Sequence, residues 1–551
     1  MRRLLLALLS VATFAYDGAV FSQAAHQSSG SYSIGGTLIS AVTGQPLDRA
    51  EVTLHDPTGE RLVAETTTGQ DGRFNFEHLA AGKYELAASR RGYIGAAYDE
   101  HEGYSTAIVT GEGLKNDGII FRLSPRAVIK GVVSDDAGDP APQARVSLYR
   151  QNQRNGVGNI VRAGVTMTDD TGAYEFARLD AGNYYIAVTA TPWYATRPQP
   201  RHDAQGNTLP DETRSPLDVA YPTTFYADVT DSDSATPIPV KAGDQVQVNL
   251  NLHAVPAVHL SVQVPSPSDR GFAMPQLSQE IFGMSEAAQP SMSYSWRGQG
   301  GEVDGQTTVE FTGVAPGQYS VELHGGGDSS RAASIDAASD ARIDLSKASD
   351  MADVSGKVVM AGGGELPDRL NLSLRTSDGR NGGGDRVNAD GTFSLHGVPP
   401  GSYEVWVTAA DTSLAVAHLT ATGAPTEGSV IKIATAPVAI SATLASGSAT
   451  VTGCATRDGK PAPGVMVLLA PRDPGAEREM FRRDQSDSDG SFQLSRVVPG
   501  EYTVVAIEDG WTLDWARPGV IAHYLAKGLK VIVPTHTKDF AIKGTIEVQA
   551  K

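Results

Sequence analysis

Five aromatic side chains, Trp193, Tyr194, Tyr221, Phe225 and Tyr226, fall among prolines and acids between Pro192 and Pro239. An exposed ring of this kind can stack on the apolar face of a pyranose. These five are the candidate ligand platform, Trp193 and Tyr194 foremost; the opposing expectation is that the rings pin an irregular loop onto its own domain. Asp99-Glu100-His101-Glu102 has the residue types of a metal site. Four neighbouring residues rarely converge on one ion without a defined turn, so this run, with Tyr93, Tyr98 and Tyr104 around it, reads as a solvent-exposed connection. Asp169-Asp170 and Asp487-Ser488-Asp489 lack the dense oxygen pattern of a calcium loop. No metal and no cofactor is expected.

Catalysis has no comparable candidate. No His-Glu-x-x-His and no Gly-x-Ser-x-Gly occurs, and no nucleophile and base stand out together, so the catalytic set is empty and the chain does not read as an enzyme. Cys454 lies among apolar neighbours on a strand, which predicts a buried, unreactive thiol. Trp511, Trp515 and Tyr524 surround the stretch Ala516 to Gly528, where Val520, Ile521 and Tyr524 share one helical face. A short helix packed on its own domain is the expectation there.

The elements that must carry these residues are announced by a repeat. Four segments run Asp71-Gly72-Arg73-Phe74-Asn75-Phe76, Thr171-Gly172-Ala173-Tyr174-Glu175-Phe176, Asp390-Gly391-Thr392-Phe393-Ser394-Leu395 and Asp489-Gly490-Ser491-Phe492-Gln493-Leu494. A second glycine follows at Gly82, Gly182, Gly401 and Gly500, and a tyrosine two residues later at Tyr84, Tyr184, Tyr403 and Tyr502. A fifth copy keeps Phe311, Gly317 and Tyr319 without the first glycine. The alternating aromatics point to one face of a strand. The first glycine supplies the positive φ of the turn that feeds it. Pro316-Gly317, Pro400-Gly401 and Pro499-Gly500 suit the centre of a type II turn. Upstream, Ile34-Gly35-Gly36, Ile129-Lys130-Gly131, Val354-Ser355-Gly356 and Val451-Thr452-Gly453 read as a first strand with a central glycine. Short strands, regular turns and almost no helical period predict an all-β sandwich.

This combination resembles the carboxypeptidase regulatory-like domain, which groups with transthyretin-like, collagen-adhesin B-type and starch-binding-like sandwiches. The resemblance implies an all-β chain of tandem Greek-key β-sandwich domains, prealbumin-like or carbohydrate-binding-like. It implies no peptidase activity: none of the twelve histidines is followed by glutamate at the His-x-x-Glu spacing of the zinc carboxypeptidases. Collagen-adhesin relatives carry a Lys–Asn crosslink beside an acidic residue. Lys130, Glu175 and Asn249 would have to supply it here, and exposed strand positions account for them better.

The expected division is a signal peptide over 1–24 and sandwiches over 32–124, 126–255, 256–346, 352–446 and 447–551, the second holding the aromatic, proline-rich loop 192–239 and the third divergent. Arg2 and Arg3 precede the apolar run Leu4 to Ala15, and Ser22-Gln23-Ala24 supplies small residues for cleavage. No later stretch approaches the roughly 18 apolar residues of a membrane helix. With one cysteine the chain forms no internal disulfide. A net charge of −18 opposes nucleic acid as a partner. The expectation is an exported protein, secreted or in the periplasm and cell envelope, non-enzymatic, serving recognition or scaffolding with polysaccharide as first ligand class or an envelope protein as partner. The alternatives are a spacer or adhesin stalk, or an accessory factor of a peptidase or outer-membrane transporter.

Overall fold

The computed structural model describes residues 30–551 apart from 154–155, 197–214, 266–273, 289, 297–305, 324–330, 346–348, 377–380, 411–412 and 476. The signal segment 1–24 lies outside the described residues. The fold is all-β and multi-domain. Five sandwiches each enclose a separate apolar core, and in the fifth the strand Ile546–Gln549 joins the two faces into one nine-stranded sheet.

One wiring plan serves all five sandwiches. In the first, strand Tyr32–Ser40 pairs antiparallel with the motif strand Arg73–Leu79 and parallel with the last strand Ile119–Leu123. The facing sheet is built on Glu51–His55 and Gly82–Ser89. The same parallel closure recurs between Ala127–Asp135 and Gln245–Gln247, Val258–Pro265 and Ala341–Asp344, Ala352–Met360 and Val438–Gly447, and Ala449–Arg457 and Asp539–Ala541. This closure explains the central glycine of the first, second and fourth sandwiches; in the fifth a Cβ on Gly453 would meet the Phe492 ring at 2.4 Å, and the third sandwich's first strand has no glycine. A Cβ on Gly36 would lie 2.2 Å from the carbonyl oxygen of Ile119, and one on Gly131 1.6 Å from that of Val248.

The motif residues have equally physical tasks. Phe74, Phe76, Tyr174, Phe311, Phe393 and Phe492 are buried. Gly72, Gly172, Gly391 and Gly490 have φ of 71°, 73°, 85° and 78°. Tyr84, Tyr184, Tyr319, Tyr403 and Tyr502 each fold back over their turn: the phenol O–H donates to the carbonyl four residues earlier, at 3.1, 3.0, 2.9, 2.8 and 2.6 Å. One ring thus fills a core while its polar end closes the strand connection.

The type II expectation for the second glycine fails. None of Gly317, Gly401 and Gly500 has a left-handed φ, and Gly401 and Gly500 begin strands. The left-handed residue comes four positions earlier in all five copies, at His78, Arg178, Gly313, Gly397 and Arg496, with φ between 57° and 71°. There the motif strand slips register against the first strand, a β-bulge just ahead of the connection to the next strand.

The sandwiches are not strung end to end. Ion pairs and hydrogen bonds join the first to the fifth across roughly 380 residues of sequence, as with Arg483 to Glu102, 381 positions apart. Outer-sheet residues Tyr149, Ala187 and Phe225 of the second sandwich share an apolar cluster with Ile281 of the third.

Candidate functional site

The long segment of the second sandwich folds as short strands, Val219–Ala220, Thr224–Phe225 and Ile238–Val240, flanking the undescribed residues 197–214. Its aromatics separate into three groups. Tyr221 enters the second sandwich's own core, with Tyr226 packed against it. Phe225 is 1% exposed and faces the third sandwich, its ring 5.5 Å from that of Phe282. Trp193 is 77% exposed, with Tyr194 edge-on at 5.6 Å. Tyr221 and Phe225 therefore offer no face to a ligand; both satisfy apolar surface that the short strands alone could not cover. Trp193 is the one ring of the five held out to water.

The densest constellation lies elsewhere, where the first, second and fifth sandwiches meet. Arg483, on strand Arg482–Gln485, has a side chain 6% exposed and donates to Glu102 of the first sandwich at 2.6 Å. Its guanidinium stands 4.9, 5.6 and 5.2 Å from the ring centres of Tyr104, Trp511 and Trp515. His101 stacks on Trp511 at 5.5 Å and 7°. The second sandwich adds Val157 to the same apolar cluster, Gly158 N–H to Asp514 at 2.7 Å, and the Gly156 carbonyl, which accepts Ala516 N–H at 2.8 Å.

Beside the cage a polar seam continues the contact. Gln485 donates to Thr106 at 2.8 Å and also to the Asp99 carbonyl. Lys83 pairs with Asp487, whose other oxygen accepts Ala107 N–H at 3.2 Å. Val109 N–H reaches Ser488 at 2.8 Å. Burial raises the Asp487 carboxyl above its ordinary range, while Lys83 draws it back. Burial likewise pushes Asp484 up to about 6.

The expectation of an exposed connection holds for Asp99 and Glu100 but not for His101 and Glu102, which are half-buried; the run turns tightly at left-handed Asp99 and Glu102 and is the first sandwich's half of the junction. Nor do Trp511 and Trp515 serve their own sandwich alone. Asp487-Ser488-Asp489 is occupied by Lys83 and backbone amides, and among the described residues no three His, Cys, Asp or Glu side chains converge as a metal site. Cys454 is half-buried rather than buried, its sulfur 3.7 Å from the Ala455 carbonyl oxygen; burial and then Asp489 raise its thiol. Glu175 lies opposite Lys130 in strand register, both exposed, and Asn249 accepts Val132 N–H at 3.1 Å.

Sequence reasoning missed a second repeated polar device. Thr68, Thr168 and Ser486, each four residues before a motif glycine, are buried hydroxyls donating to the carbonyls of Leu47, Ala141 and Ala462, at 2.6 Å each. Each also accepts one backbone N–H, from Ala50, Ala144 and Val465. The spacing to the glycine was the available signal.

A folded-back set of sandwiches held by aromatic and ionic joints defines a class of modular all-β proteins. Residues 33–107 and 128–253 match the carboxypeptidase regulatory-like domain, and residues 448–522 match the second β-sandwich domain of NOMO1-like subunits of the BOS complex. The chain is a tandem β-sandwich protein whose first two sandwiches match the carboxypeptidase regulatory-like domain. No curated protein matches it. Among solved structures it is similar to a streptococcal ancillary pilin, at 12% identity over 57% of this chain and 98% of that one, TM-score 0.18. It is also similar to the Bacillus anthracis TIE protein, at 11% over 72% and 69%, TM-score 0.16. GBS52, the minor pilin of Streptococcus agalactiae, gives 14% over 41% and 97%, TM-score 0.20. TM-scores of this size carry no inference about how this chain's sandwiches are placed or what they bind. Among the described residues no helix is long and apolar enough to cross a membrane.

Proposed function

We propose that this chain is a non-enzymatic recognition scaffold that holds several sandwich surfaces in a fixed relation, and not a linear stalk. The observation that carries this reading is the caged Arg483, which ties the fifth sandwich to the first. A stalk transmits length and has no use for a joint between its ends; a scaffold needs that joint to fix the spacing of what it presents. Small-angle scattering of the mature chain tests it. A compact envelope that expands in an Arg483→Ala variant supports the scaffold, and an extended one in the wild type restores the stalk.

A second reading, polysaccharide binding, is favoured by Trp193, whose ring is held in water beside Tyr194. An exposed indole costs hydrophobic free energy that a stacked sugar ring would recover. Affinity electrophoresis over a panel of plant and microbial glycans, repeated with Trp193→Ala, decides it: retardation by no glycan removes this reading and leaves the scaffold intact. Export to the envelope or beyond follows from the apolar run after Arg2 and Arg3 and is checked by fractionation. Co-purification from envelope fractions separates an envelope-protein partner, or an accessory role beside a peptidase or transporter, from free secretion.

A further inference from the structure

The joint between the fourth and fifth sandwiches buries two carboxylic side chains that the scaffold reading does not use. Glu479, on the 3-10 turn Arg478–Met480 of the fifth sandwich, is 8% exposed. Its Oε1 accepts the N–H of Val416, the residue at which strand Ser413–Thr422 of the fourth sandwich slips register against Val438–Gly447. Glu404, on strand Gly401–Thr408 of the fourth sandwich, is 5% exposed and close enough to act on Glu479 electrostatically. Oε2 of Glu479 and Oε1 of Glu404 are both buried without a hydrogen-bond partner among the described residues.

Two arginines act on the pair, Arg482 on Glu479 and Arg478 on Glu404, but each lowers its carboxyl less than burial raises it. Arg482 directs its guanidinium at the carbonyls of Glu479, Phe481 and Arg496, at 2.8, 2.7 and 2.9 Å. Arg478, Trp406 and Ser429 act on Glu404. Two ionised carboxylates in a dry joint repel each other and leave two lone oxygens unpaired. One retained proton answers both problems, because a protonated carboxyl is an O–H donor to its neighbour.

We propose that Glu404 and Glu479 form one proton-binding site, and that the proton held there closes the joint between the fourth and fifth sandwiches. Glu479 then keeps Val416 N–H as its second partner, capping the amide that the strand slip leaves over. Burial pushes Glu479 up to about 8, with Glu404 adding to the rise. Burial also raises Glu404, while Trp406, Arg478 and Ser429 pull it back. In the open joint both groups meet water and titrate as ordinary carboxylates. The closed joint therefore binds the extra proton between the ordinary carboxylate range and about 8, and closure is lost as pH rises through that value.

Hydrogen–deuterium exchange of the intact chain between pH 6 and 9, corrected for intrinsic rates, reads this directly. Protection of the segment holding Val416 should fall roughly 10- to 100-fold between those values, since each pH unit below the raised pKa is worth up to about tenfold. The core strand Val354 to Val358 should not change. Glu479→Gln, which keeps the acceptor for Val416 and adds a donor for Glu404, should hold its protection at both pH values. Glu404→Gln serves as the second variant should the first misfold, and it should also abolish the step. A step of unchanged size in either folded variant overturns the proposal. So does wild-type protection restored at pH 9 by millimolar calcium, which would make the pair a cation site.

Discussion

The guanidinium of Arg483 meets the carboxylate of Glu102 at 2.6 Å, within a box of Tyr104, Trp511 and Trp515 rings. A planar, weakly hydrated cation suits such a box better than an ammonium would, because it stacks on rings and bonds a carboxylate at once. Removing it strands Glu102 and empties the cage. Arg483→Met should cost about 3–5 kcal/mol of stability in urea unfolding, and Arg483→Lys should recover only part of that loss. A cost below about 1 kcal/mol for the methionine variant would show that the junction is held by its apolar rings alone.

What could be read from the chain, and what could not, divides along the same line. Inside one sandwich the aromatics alternate with polar residues and recur at fixed offsets, so Phe74, Phe393 and Tyr403 declared both strand and core. Across sandwiches the partners come from segments with no common period: nothing near Glu102 in sequence points to Arg483. The aromatic loop failed for a related reason. Trp193, Tyr221 and Phe225 occupy one proline-rich context, and composition does not say whether a ring faces water, its own core or a neighbouring domain. The bulge was hidden because its left-handed position is glycine in two copies and His78, Arg178 or Arg496 in the others.

That last mixture yields a stability test. Arg178 is exposed with φ of 64°, a conformation that costs a residue with a Cβ roughly 1–2 kcal/mol. The equivalent residues Gly313 and Gly397 avoid that cost. Arg178→Gly should stabilise the second sandwich by about 0.5–1 kcal/mol after the entropy of glycine is deducted, and Arg178→Val should destabilise it by more than about 1 kcal/mol. Thermal denaturation of the two variants gives the sign. Destabilisation by glycine would contradict the bulge geometry.

Asp484 supplies a pH test of the junction. Its carboxylate accepts Gln493 N–H at 2.7 Å, and burial holds its pKa at about 6, above the ordinary aspartate value. A raised folded-state pKa means that the folded chain keeps a proton the unfolded chain releases. The stabilising contribution is then complete at acid pH below the ordinary value and lost as pH rises through about 6. Asp484→Asn should therefore raise stability at pH 7.5 by roughly 1–2 kcal/mol and leave it unchanged near pH 4. Equal effects at both pH values would assign the change to packing instead of charge.

The joint between the second and third sandwiches rests on Phe282, whose ring lies 5.1, 5.0 and 5.5 Å from those of Tyr149, Tyr185 and Phe225. Phe225 comes from the strand that the aromatic loop lays on the outer face of the second sandwich, so the loop's work there is to join domains. Phe225→Ala and Phe282→Ala should each cost about 2–4 kcal/mol. Because they remove the two halves of one contact, the double variant should cost less than the sum of the two by at least about 0.5 kcal/mol. Proteolysis between His253 and Val258 should also become faster in both single variants, since a loosened joint frees the Val255–Pro256 strand from Val219–Ala220. Strict additivity with unaltered cleavage would mean that the ring pair does not hold the joint and would leave its fixed geometry to the Arg162–Glu286 ion pair and the Thr223–Gln279 hydrogen bond.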